Sequence, residues 1–196
     1  MTKLLLASTS PARKKLLTEA GVRFETASPG VDEEALVALH APSTPQALTL
    51  LLAEAKARAV PGPDLVLGCD SALYFGGEIL GKPKTHELAT RRWREMRGKS
   101  GELFSGHYLV DHQFGTSVGL VTSTKVFFAN LSDSEIEAYV NTKEPLEVAG
   151  AFTIDGLGGA FIEKIEGDYH TVVGLSLKGL RSMMNEINRD YLSLWR

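Results

Sequence analysis

The chain has 196 residues, 43% of them hydrophobic and 23% charged, enough for one substantial core or for two lobes sharing a sheet. A formal net charge of -3 argues against a general DNA or RNA binder, while a small polyanionic ligand needs only a local cluster of cations. The single cysteine, Cys69, excludes an internal disulfide and fits a reducing compartment; with no apolar run of membrane-spanning length, the expectation is a cytoplasmic protein without a membrane partner.

The first element is a short buried strand, Leu4-Leu5-Leu6-Ala7, followed by Ser8-Thr9-Ser10-Pro11. Ser10 and Pro11 read as the cap and first position of a helix running to about Ala20. Arg13, Lys14 and Lys15 then fall in its first turn, where the helix dipole disfavours cations. Free N–H groups, serine hydroxyls and cations at one helix start describe a phosphate site; the plainer reading is a capped surface helix with solvated lysines. An extended piece around Arg23 to Ala27 leads to a loop carrying Asp32, Glu33 and Glu34. That loop could offer a metal ligand or simply be solvated.

A helix opening at Pro45, capped by Thr44, carries its apolar stripe on Leu48, Leu51, Leu52, Ala55 and Ala59. Lys56 sits at the edge of that stripe, about 80° from Leu48. It is placed either to snorkel or to reach a phosphate. Leu65 to Cys69 reads as a buried strand continuing through Asp70 into Ala72 to Phe75, with Gly76-Gly77 turning it onto Glu78-Ile79-Leu80. Asp70 interrupts an otherwise apolar strand, and a buried carboxylate costs several kcal/mol unless it is paired or holds a metal. The hairpin can bring Lys82, in Gly81-Lys82-Pro83, to the same end as Asp70. Without that geometry Lys82 is a surface lysine before a proline.

Further along, a helix near Thr85 to Met96 stacks Ala89, Trp93 and Met96. Strands follow around Leu103 to Val110 and Thr116 to Phe128, and Ser132 with Glu135 forms a capping box for the next helix. Ala160 to Ile165 reads as a strand. A last helix after Ser176 buries Leu177, Leu180, Met184 and Ile187. Strands and helices mix without a strict βαβ rhythm, so the predicted class is α/β with a mixed twisted sheet and flanking helices. No P-loop, zinc-type histidine spacing or GxSxG elbow is present, and Gly156-Leu157-Gly158-Gly159 lacks the third glycine of a dinucleotide fingerprint.

Taken in order, these pieces resemble the Maf family of nucleoside triphosphate pyrophosphatases. Leu6-Ala7-Ser8-Thr9-Ser10-Pro11-Ala12-Arg13 is similar to its LASxSPRR opening, Val31-Asp32-Glu33 to its acidic element, and Leu52-Ala53-Glu54-Ala55-Lys56-Ala57 to its LAxxKA helix. Gly68-Cys69-Asp70-Ser71 resembles its GADT strand and Ile79-Leu80-Gly81-Lys82-Pro83 its ILGKP. Glu144-Pro145-Leu146 to Phe152, with Phe161 to Asp168 and Val173-Gly174-Leu175, resembles its C-terminal signature.

The resemblance implies one Maf-like domain over residues 1–196, an inosine-triphosphatase-like fold with two lobes around a central cleft, and hydrolysis of a nucleoside triphosphate to monophosphate and pyrophosphate. It implies a divalent metal, Mg²⁺ or Mn²⁺, held by Glu33 and Asp70, with Asp70 as proton acceptor. Ser8, Ser10, Arg13, Lys56 and Lys82 would bind substrate. A role in clearing non-standard nucleotides and a homodimer are implied as well. So is a link to septum formation, and with it the alternative of a nucleotide-binding regulator of cell division acting without turnover.

Three positions depart from the family pattern: Ala12 for the first arginine of its pair, Phe104 for a histidine, and Asp155 for a glutamine. Glutamine both donates and accepts, which suits uracil or thymine, whereas a carboxylate only accepts, which suits the paired N–H donors of guanine. The branch of the family that resembles 7-methyl-GTP pyrophosphatases also carries an acidic residue and a phenylalanine at these places. Asp155 therefore joins the substrate-binding candidates, with base preference between the dTTP/UTP and guanine types left open.

Overall fold

The computed structural model describes residues 2–62 and 64–195. Its strands are β1 (Leu4–Ala7), β2 (Phe24–Ala27), β3 (Leu65–Phe75), β4 (Glu78–Leu80), β5 (Ser100–Asp111), β6 (Thr116–Phe128) and β7 (Ile162–Gly167). The helices are α1 (Pro11–Glu19), α2 (Glu33–His40), α3 (Pro45–Ala59), α4 (His86–Met96), α5 (Asp133–Asn141), α6 (Tyr169–Val173) and α7 (Leu177–Glu186). The seven-stranded sheet has the order β2-β1-β3-β5-β6-β7, with β4 paired to β3. It is mixed, as the irregular alternation of elements predicts: β1 runs parallel to β2 and β3, while β3–β4 and β6–β7 are antiparallel. The chain falls into two compact units, one of residues 1–70, 105–122 and 174–196, the other of residues 71–104 and 123–173.

In the first unit, Leu4 to Ala7 are all buried and align with Leu65 to Gly68 of β3. The apolar run has no polar face because helices cover it. α3 lies on this sheet through small side chains. A Cβ on Gly68 would stand 2.0 Å from the Ala53 carbonyl oxygen, and one on Gly106 of β5 2.3 Å from that of Thr49. These contacts are closer than any side chain permits, so glycine is required at both positions. The helix face that results is Pro45, Thr49, Leu52, Ala53, Lys56 and Ala57. This corrects the sequence-based stripe, in which Leu48, Leu51 and Ala55 led and Lys56 stood at the edge: those three are only half-buried, Ala59 is exposed, and Lys56 is buried. The Thr49 hydroxyl, wholly buried, is satisfied by donating to the Pro45 carbonyl at 2.9 Å.

The second unit packs around Trp93 of α4. Its indole meets Phe128, Tyr139 and Phe161 edge-on at centroid distances of 5.7, 5.5 and 6.1 Å. The indole N–H donates to the Ala151 carbonyl at 2.7 Å, so its one polar atom is paired inside the core. The predicted burial of Ala89, Trp93 and Met96 holds. The turn at Gly76-Gly77 takes positive φ at both residues, matching a two-residue hairpin turn, and pairs Leu73 with Leu80. The Ser132–Glu135 capping box is present in both directions. Phe104, where the family pattern has histidine, is buried. Ala160 and Phe161, expected to open a strand, belong instead to a 3₁₀ turn over residues 157–161, so β7 starts at Ile162.

Candidate active site

α1 begins as its sequence predicts, with Ser10 capping and Pro11 at the first position. The Ser10 hydroxyl accepts the Arg13 N–H at 3.4 Å, and the Ser8 hydroxyl accepts the Ser10 N–H at 3.2 Å. Both oxygens are therefore held toward the helix start, with their own O–H groups available to donate. The Arg13 guanidinium donates through Nε to the Gly174 carbonyl at 2.8 Å and through Nη1 to the Cys69 carbonyl at 3.0 Å. Nη1 also lies 3.4 Å from the Ser8 Oγ. Arg13 thus ties the helix start to the strand residue that precedes Asp70.

The acidic trio is not a loop. Asp32 is the N-cap of α2, accepting the Ala35 N–H at 2.9 Å, and Glu33 and Glu34 occupy the first turn. Negative charge is favoured there by the exposed N–H groups. An acidic cap followed by two glutamates and an apolar run carries that signal in the sequence.

Gly68 and Asp70 lie on one face of β3, two residues apart. Because α3 rests on Gly68, Lys56 extends over the same face. Its Nζ donates to Asp70 Oδ1 at 2.6 Å and meets Glu33 Oε1 at 2.8 Å. The Lys56 and Asp70 side chains keep only 10% and 14% of their exposure, whereas Glu33 keeps 49%. The Asp70 carboxyl is pushed above the usual carboxylate value, chiefly by burial. Lys56 and Arg13 oppose that rise and Glu33 adds to it. The neighbouring Cys69 thiol, wholly buried, is pushed up to about 11 and is an inert core group.

Two carboxylates from distant segments thus converge on one cationic group. Among the described residues no cluster of three or more His, Cys, Asp or Glu side chains could hold a metal. A small hard cation such as Mg²⁺ typically takes one or two carboxylates and completes its shell with phosphate oxygens and water. Glu33 and Asp70 fit that donor set, each carboxylate retaining acceptor capacity beyond its contact with Lys56.

The remaining candidates belong to the second unit. Lys82 lies two residues past β4, more than half exposed, with Glu147 Oε2 at 3.8 Å from its ammonium. Asp155 is half-buried in the irregular segment between Phe152 and Leu157. That segment is fastened by Glu144, which no sequence pattern singled out beyond its place in the signature. Two further polar groups were not foreseen. Asp111, wholly buried, pairs with Arg189 at 2.5 Å, which holds its carboxyl below the usual range. His107, also wholly buried, accepts the Ser176 N–H on Nε2 at 2.9 Å.

The sheet and its covering helices place the chain among mixed α/β proteins, with a buried, cation-paired carboxylate one residue beyond an inert thiol. More particularly, the chain belongs to the Maf-like protein family, whose model matches residues 3–187. A nucleoside triphosphate pyrophosphatase of Corynebacterium jeikeium is 52% identical over 193 residues, covering 98% of this chain and 99% of that protein. One of the same name from Leifsonia xyli is 47% identical over 207 residues, covering 98% and 96%. Among solved structures, the Ham1 protein of Staphylococcus aureus matches at 12% identity with a TM-score of 0.48, over 95% of this chain and 100% of that one. No helix among the described residues is long and apolar enough to cross a membrane.

Proposed function

We propose that this chain is a nucleoside triphosphate pyrophosphatase, releasing pyrophosphate and a nucleoside monophosphate, and that it works as a single Maf-like domain. The observation that carries this reading is end-to-end identity of 52% with a relative of that name. The relatives' names denote hydrolysis, so a regulator acting without turnover gains no support from them.

Water must attack the α-phosphorus while pyrophosphate leaves, which calls for a base and for neutralisation of developing negative charge. Asp70 accepts the proton of the attacking water. Its burial raises its basicity above that of an ordinary carboxylate, which suits a proton acceptor. Lys56 opposes the protonation of Asp70 that burial favours and supplies positive charge to the phosphates. Ser8, Ser10 and the N–H groups opening α1 donate to phosphate oxygens, and Arg13 braces that turn while adding its charge. From the second unit we assign Lys82 to phosphate and Asp155 to the base, on the likeness of their motifs to the family's. Glu33 and Asp70 would hold Mg²⁺ or Mn²⁺, which when bound neutralises phosphate charge. With a carboxylate at residue 155, base preference moves toward guanine-type nucleotides.

A panel of UTP, dTTP, GTP and 7-methyl-GTP, each with Mg²⁺ and with Mn²⁺, tests this directly. Pyrophosphate in equal amount to monophosphate is expected. Release of orthophosphate, or no release from any member, contradicts the activity; strict pyrimidine preference contradicts only the base assignment.

A further inference from the structure

We propose that Glu144 is the positioning residue for base selection: it fixes the loop that carries Asp155, without touching substrate itself. The inference rests on the proposed reading of Asp155 as the residue facing the base.

One carboxylate gathers both limbs of this loop. Glu144 Oε1 accepts from the Tyr139 hydroxyl at 2.9 Å, the Thr153 hydroxyl at 2.5 Å and the Gly158 N–H at 2.9 Å. Its Oε2 accepts the Leu157 N–H at 3.0 Å. The Tyr139 hydroxyl, buried against Trp93, in turn accepts the Thr153 N–H at 3.3 Å. Thr153 on one side and Leu157 and Gly158 on the other are thereby joined through a single charged acceptor, with Asp155 at the apex between them. Successive N–H groups aimed at one anion form a cradle of the kind that binds free anions, here filled by the protein's own side chain. Bonds to an ionised acceptor are roughly twice as strong as neutral ones.

The fit leaves no slack. A Cβ on Gly156 would lie 2.6 Å from Glu144 Oε2 and 2.8 Å from Thr153 Oγ1, and one on Gly158 2.3 Å from the Tyr139 hydroxyl. The carboxylate is anchored from behind, since Glu144 opens a 3₁₀ turn whose Pro145 is buried. Leu157, held by its own N–H, is 59% exposed two residues from Asp155. The loop therefore offers an apolar surface and an acceptor on one rigid backbone, the combination a nucleobase ring and its polar edge require. Discrimination between bases depends on holding such an acceptor within about 0.5 Å of its working position. Neutralising Glu144 turns one oxygen into a donor facing other donors, and the loop loses its common acceptor.

The test is the ratio of kcat/KM for GTP to that for UTP, measured in wild type, Asp155→Gln, Glu144→Gln and Thr153→Val. Because both substrates are assayed on one sample, the ratio is unaffected by the folded fraction. Asp155→Gln is expected to lower the ratio at least roughly tenfold, and Glu144→Gln to move it the same way by about tenfold, through KM more than kcat. Thr153→Val, which deletes one donor and keeps the carboxylate, is expected to give a smaller shift of the same sign and serves where Glu144→Gln does not fold. An altered ratio in Asp155→Gln with a wild-type ratio in Glu144→Gln, or in Thr153→Val where that is the one that folds, overturns the role of Glu144 and leaves the base assignment standing. An unchanged ratio in Asp155→Gln overturns the base assignment itself, and the inference with it.

Discussion

Lys56 and Asp70 meet at 2.6 Å although each belongs to a surface built for burial: the sheet-facing side of α3 and the interior of β3. Neither charge is tolerable there alone, and together they turn two liabilities into a polarised pair. Lys56→Met keeps the stem that packs on the sheet and removes the charge. Breaking a buried pair of this kind costs about 3 kcal/mol. The expected result is a lower urea midpoint with unchanged slope, and a further rise in the Asp70 pKa.

The same pair sets the pH response. Burial holds the Asp70 carboxyl above its ordinary value in the folded state. Below the unfolded-state value the position is protonated in both states and its contribution to stability is full. As pH rises through the raised folded value, ionisation costs stability and that contribution is lost. Unfolding free energy of wild type relative to Asp70→Asn should therefore fall with rising pH across that window. Under the proposed role of Asp70 as proton acceptor, activity runs the opposite way, because the carboxylate must be ionised: the acid limb of kcat/KM should lie at higher pH in Lys56→Met than in wild type.

Gly68→Ala tests how the pair is brought together. The added methyl would press on the Ala53 carbonyl and, at 2.7 Å, on the Ala57 nitrogen, both helix backbone that cannot rotate away. α3 must lift, at a cost of about 3 kcal/mol. Displacing Lys56 from Asp70 by about an ångström is expected to lower kcat/KM on the order of a hundredfold even in the folded fraction. Thermal unfolding and assays normalised to folded protein separate the two effects.

Arg13→Lys retains charge and loses shape. The guanidinium reaches the Gly174 and Cys69 carbonyls from two different nitrogens, a fork that an ammonium does not reproduce. KM for the nucleotide should rise about tenfold or more, and added salt should not restore it.

Much of this fold is legible where local chemistry decides it. Thr44 and Ser132 announce their helices, and Gly76-Gly77 its hairpin, because each partner is only a few residues away. The packing face of α3 fails the same treatment. Hydrophobicity selects its largest side chains, whereas the buried face was chosen by close approach to Gly68 and Gly106, which admits Thr49, Ala53 and Ala57 and carries Lys56 inward with them. α2 is signalled by Asp32, Glu33 and Glu34, an acidic cap and first turn that reading the segment as a loop overlooks. Within the candidate site, Asp70 stands out because it breaks an apolar strand. Glu144 does not, since its partners lie in irregular segments with no period to betray them.

Pyrophosphate release by Asp70→Asn is the decisive measurement of the proton transfer proposed for Asp70. Losing a general base typically costs 10²–10⁴-fold, so single-turnover rates should fall by roughly a thousandfold while the variant still binds nucleotide. Release within a few-fold of wild type by folded Asp70→Asn would rule that role out.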